Sequence, residues 1–75
     1  MIKFNKIGIL QNGKTSGWNI AIKDDTCGAT GGYYVFEWYK DEFFDDWFEN
    51  FNELLINLEN RIIEWTDQDY VSPNT

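Results

Sequence analysis

A chain of 75 residues with one cysteine, no histidine and a net charge of −7 excludes disulfide scaffolds and zinc sites built from Cys and His, and it disfavours nucleic acid and anionic membrane as partners. Its length suits one small domain, for which four Trp, six Phe and four Tyr supply large apolar surfaces of about 150–250 Å² each.

In chain order, Ile2, Phe4, Ile7, Ile9 and Leu10 mark a first strand. Its alternation breaks near Asn5-Lys6, as a bulge or register slip would require. The turn segment QNGKTSG (11–17) holds Asn12-Gly13, the strongest short hairpin signal in the chain. Trp18, Ile20 and Ile22 alternate with Asn19, Ala21 and Lys23 in a second, half-buried strand. A loop follows in DDTCGATGG (24–32), and YYVFEWYK (33–40) reads as a third strand with Tyr34, Phe36 and Trp38 on one face.

Residues 42–61 admit two readings. One long helix would align Phe44, Trp47, Phe48, Phe51, Leu54, Leu55, Leu58 and Ile62 on one face. The weak helix formers Asp45, Asp46 and Asn50 argue against that span, while Asn50-Phe51-Asn52-Glu53 has the form of a capping box. The later start is favoured, giving a helix over 51–60 and an acidic loop over 41–49 pinned by Phe44, Trp47 or Phe48. IIEWT (62–66) supplies a last strand, and 67–75 read as a polar tail. The expectation is an α+β fold of order β-β-β-α-β, one domain over 1–66, with one helix on one face of an antiparallel sheet. Leu54, Leu55 and Leu58 would pack on the rings of Trp18, Phe36 or Trp38.

The charge is divided unevenly. Residues 1–40 hold five lysines against Asp24, Asp25 and Glu37, a balance of +2; residues 41–75 hold ten acids against Arg61, a balance of −9. Such asymmetry steers basic partners toward the C-terminal half, although it also serves simply to keep an aromatic-rich chain in solution.

Catalytic patterns fail one by one. DDTCGATGG resembles the aspartic-protease signature only with Cys27 interrupting it, and no Gly-Lys-Ser/Thr follows its glycines. GGYYVFEWY lacks the basic residue that opens the RNA-recognition signature. The adjacent pairs Asp24-Asp25 and Asp45-Asp46 point opposite ways on an extended strand, so neither converges on a reacting atom. Cys27 stands beside carboxylates, which disfavour a reactive thiolate. The reading is therefore of a protein that is not an enzyme, with no cofactor and no metal.

What remains is an acidic, aromatic-studded surface. Tyr39, Asp41, Glu42, Phe43, Asp45, Asp46, Glu49 and Glu53 are its candidate partner-binding residues, the carboxylates giving the attractive field and the rings the anchors. Phe43 and Ile56 fall outside any apolar stripe and are the side chains most free to touch a partner. The absence of a long apolar run and of a leader-like N-terminus points to a cytoplasmic protein with no membrane partner.

The segments GGYYVFEW, FDDWFENFNELL and IIEW resemble the small acidic immunity proteins of bacterial polymorphic-toxin systems. The shared pattern is a Gly-led aromatic strand (Gly31, Gly32), an Asp-x-Trp-x-Glu turn (Asp45, Trp47, Glu49), a Leu-rich helix (Leu54, Leu55) and a closing Ile-x-Trp strand (Ile63, Trp65). The resemblance implies a cytosolic antitoxin that caps the active or substrate-binding site of a basic toxin. Two alternatives stand beside it: a phage-encoded inhibitor that mimics the phosphates of DNA, such as an anti-CRISPR or anti-restriction protein, and a structural module that forms a homodimer.

Overall fold

The computed structural model describes residues 2–71. Six elements follow one another: β1 (Lys6–Leu10), β2 (Asn19–Asp24), β3 (Tyr33–Tyr39), β4 (Glu42–Phe48), α1 (Phe51–Leu58) and β5 (Ile63–Asp69). The strands form one antiparallel sheet in the order β4-β3-β2-β1-β5, so β4 and β5 are its two edges. The α+β class and the single helix agree with the sequence reading.

Three connections explain the meander. Between β1 and β2, Gly17 donates its N–H to the Leu10 carbonyl, and Asn12 reaches sideways to bond the Asn60 carbonyl and the Ile62 N–H. Asn12 therefore ties this turn to the α1–β5 connection. Between β2 and β3, Asp24 accepts from the backbone and hydroxyl of Thr26, contacts that hold its carboxyl below the ordinary carboxylate value. Between β3 and β4 only Lys40 and Asp41 intervene, with Lys40 at φ 54° in the left-handed region. A two-residue turn is enough to start a hairpin.

The loop expected over 41–49 is a strand, and this is the main correction. β4 pairs with β3 in unbroken register from Tyr39↔Glu42 to Tyr33↔Phe48. Its sequence EFFDDWF places Phe43, Asp45 and Trp47 on one face and Glu42, Phe44, Asp46 and Phe48 on the other. Each face mixes rings with carboxylates, so no period-two pattern marks it as a strand. It is held by backbone pairing at a solvent-facing edge, where amphipathicity is not required.

The helix begins where the capping signal places it. The Asn50 side chain accepts the Glu53 N–H at 2.9 Å, and Leu54 and Leu58 are buried beneath the helix. It ends two residues earlier than expected, at Leu58, and Leu55 is exposed. Of the three rings expected beneath it, Trp18 is there, whereas Phe36 and Trp38 are not. Leu54 and Leu58 join Leu10, Ile20, Ile22 and Val35 in the core, with Trp18, Tyr33, Phe48, Ile63 and Trp65 packed around it. Phe36 and Trp38 lie on the opposite face of the sheet. Gly8 makes the close packing possible, since a Cβ there would lie 2.5 Å from Ile63 Cγ2.

The irregularity foreseen near Asn5-Lys6 is present: Asn5 has φ 61°, and the β1–β5 register shifts between Lys6 and Gly8. The domain boundary drawn at residue 66 falls inside β5, which runs to Asp69, and Tyr70 is packed on the sheet beyond it. Of the polar tail placed at 67–75, residues 72–75 lie outside the described residues.

Candidate functional site: an acidic edge beside an aromatic sheet face

The candidate residues gather along one edge of the sheet and divide between its two faces. Phe43 and Asp45 share the helix-free face with Trp47. Tyr39, Glu42 and Asp46 lie on the helix side, where Tyr39 stacks on Trp18 at 6.0 Å and Lys40 Nζ sits 5.3 Å from the Tyr39 ring. Asp41 occupies the tight turn before β4, Glu49 follows β4, and Glu53 stands in the first turn of α1. All eight candidates are exposed. The arrangement is a ridge with carboxylates on both flanks, in place of a single flat patch.

Electrostatically the ridge is uncompensated. The described ion pairs are Lys6 with Asp69 and Arg61 with Glu37, so none of the six carboxylates between 41 and 53 has a cationic partner among the described residues. Arg61, the one cation of the C-terminal half, is committed to Glu37 on β3. Lys6 is held above the ordinary lysine value by its hydrogen bond to Asp69 at the opposite edge. The field around β4 is thus negative and open to solvent, where a basic partner gains from it.

Rings accompany the charge. Phe43, Phe44 and Trp47 are 50, 57 and 46 % exposed, although strands of this length usually hide such side chains. Trp47 is fixed by donating its indole N–H to the Gly31 carbonyl at 2.9 Å. Gly32 must remain a glycine for this contact, because it has φ 75° and a Cβ there would lie 2.7 Å from Trp47 Nε1.

The sequence reading missed a second feature. On the helix-free face, Tyr34, Phe36, Trp38, Phe43 and Tyr70 form a connected aromatic layer: Tyr34–Phe36 at 5.8 Å, Phe36–Phe43 at 5.8 Å, Phe36–Tyr70 at 5.3 Å and Trp38–Tyr70 at 5.2 Å. Tyr70 follows β5 at one edge of the sheet, yet stacks on Phe36 and Trp38 of β3, the strand next to the other edge. Ala21 is fully buried although it lies on this face. A signal for this layer exists in YYVFEWY, where Tyr33 and Val35 on one face and Tyr34, Phe36 and Trp38 on the other are all apolar. A single helix covers only one of those faces.

The concavities do not suit chemistry on the carboxylates. One opens between Ile2, Phe4, Phe51 and Leu55, and another beside Trp38, Phe43 and Tyr70; none of the six carboxylates lines either. Among the described residues no three Asp, Glu or Cys side chains converge so as to hold a metal ion. Nor is any helix among them long and apolar enough to cross a membrane.

No family model matches this chain, and no curated protein or solved structure matches it significantly. The site therefore stands on its own geometry.

Proposed function

We propose that this chain is a non-enzymatic, cytoplasmic protein-binding inhibitor, of the kind that immunity proteins exemplify, and that it captures a basic partner along the β4 edge. One observation carries the reading: six exposed carboxylates without ionic partners among the described residues flank three exposed rings on a single edge strand. Internal contacts account for half of each ring, Phe43 on Phe36, Phe44 on Trp18 and Trp47 on Gly31, and leave the other half and the charges without a structural role. Unpaired like charges on one strand repel one another, and the half of each ring left in water gains nothing from burial. Both are used when a partner brings cations and apolar surface together.

Coexpression with the product of the neighbouring gene tests the biological role. Protection of the host from a toxic neighbour supports the immunity reading; a neighbour that remains fully toxic overturns it. The surface assignment has its own check. Asp45→Lys, Asp46→Lys and Glu49→Lys combined should slow association with the captured protein about tenfold or more at low salt. The thermal midpoint should change little, because the three residues are exposed. Unchanged association would remove β4 from the interface.

A further inference from the structure

The two edges of the sheet are finished differently. At β5 the register with β1 shifts, the Thr66 hydroxyl bonds the Ile7 carbonyl, the Gln68 N–H turns to the Thr66 hydroxyl, and Lys6 bonds Asp69. Bulges and side-chain bonds of this kind spoil an edge for further pairing. β4 has none of these devices. It is seven residues long, contains no proline, and keeps unbroken register with β3. Among the described residues, no turn, loop or side-chain hydrogen bond uses the backbone of 42–48. In an antiparallel pair, alternate residues turn both N–H and C=O away from the neighbour. A row of such groups on β4 faces outward.

We infer that β4 accepts an extended segment of a basic protein as a sixth strand. The backbone row is the site, and the carboxylates select what enters it. A second copy of this chain is a poor occupant. Antiparallel self-pairing centred on Asp45 sets that residue against its own copy; moving the centre to Asp46 does the same for Asp46, and moving it to Phe44 sets Glu42 against Asp46. Like charges directly opposite one another destabilise a strand pair. The acids therefore protect the edge from self-association, a task that lysine performs on other edges.

The order EFFDDWF also specifies the complementary strand. Opposite Asp45 and Asp46 it carries two adjacent Lys or Arg residues, one on each face of the sheet. On either side of that basic pair it carries β-branched or aromatic residues, which meet Phe43, Phe44 and Trp47. This inference deepens the proposed function and rests on its reading of β4 as the contact surface.

The probe is a synthetic nonapeptide, Thr-Val-Ile-Arg-Lys-Val-Tyr-Lys-Thr, compared with a version N-methylated at alternate backbone nitrogens. N-methylation at the nitrogens that face β4 keeps every side chain and charge while removing the hydrogen bonds to that strand. The unmodified peptide should bind, and alternate amides of β4 should gain protection from hydrogen exchange. N-methylation should weaken binding about tenfold or more, on the scale of one or two hydrogen bonds. Equal binding by both peptides would overturn strand addition while leaving a side-chain-mediated acidic surface in place. Failure of the unmodified peptide to bind would also overturn it. A concentration-dependent dimer that protects β4 amides without peptide would replace the basic strand with a second copy. The proposed function is judged separately by the charge-reversal and coexpression results, so the two can fail independently.

Discussion

The two faces of the sheet are buried to different depths. Beneath α1 the buried side chains are aliphatic, Leu10, Ile20, Ile22, Val35, Leu54 and Leu58, and the partly buried rings of Phe4, Trp18, Tyr33, Phe48 and Trp65 close around them. On the helix-free face the layer is aromatic, one side chain thick and only half-buried. Close-packed aliphatic side chains stabilise through area and dispersion, and a second layer must cover them. Flat rings can shield one another from the side and still present surface outward. The contrast teaches that this small domain places its fully buried side chains on one face, apart from Ala21, and a half-covered aromatic layer on the other, next to the charged edge.

Substitutions on the two faces sharpen that contrast. The largest effect belongs to the helix-covered side. Leu54→Ala, at a fully buried position, should cost about 3 kcal/mol in chemical denaturation. That is a large share of the roughly 4–11 kcal/mol available to a domain of this size. Gly8→Ala should follow at about 2 kcal/mol, since its Cβ would meet Ile63 and Trp65 and force the β1–β5 contact apart. Phe36→Ala on the aromatic layer should cost less than Leu54→Ala, about 1.5 kcal/mol, because its neighbours are already half in water. If Phe36→Ala proves the more damaging of the two, the helix-free face is a second core and the division of labour fails.

The smallest effect concerns the phenol that caps this layer. The Tyr70 hydroxyl is buried without a hydrogen-bond partner among the described residues, and burial raises its pKa above the ordinary value of 10.0. A phenol whose folded-state pKa is raised gives stability that is complete below the unfolded value and lost as pH climbs through the folded one. Thermal midpoints should therefore fall above about pH 10 in the native chain. Tyr70→Phe should flatten that decline and alter stability near neutral pH by at most about 1 kcal/mol, in the stabilising direction. An identical alkaline profile in both proteins would mean that the ring does not cover the layer in solution.

Much of the fold was legible because it rests on local chemistry. Asn50 and Glu53 set the start of α1 through one side-chain bond, and Ile20 and Ile22 set β2 through alternation. The break near Asn5-Lys6 was visible because a bulge interrupts that alternation. β4 was illegible for the opposite reason. An edge strand needs only a partner backbone, and its side chains carry no burial pattern from which to infer one. The candidate site was legible in composition and not in shape: Asp45 and Asp46 are neighbours in sequence but flank opposite faces of one strand.

By itself, then, the sequence determined the α+β class, the position of the helix and the concentration of negative charge in the C-terminal half. Each of these follows from side chains within a few residues of one another, or from simple counting. Only the tertiary structure decided that residues 42–48 extend the sheet, that the helix covers the face opposite Phe36 and Trp38, and that Tyr70 crosses to join them. Those outcomes depend on which backbone finds which neighbour across the sheet, a long-range choice made by register and packing together.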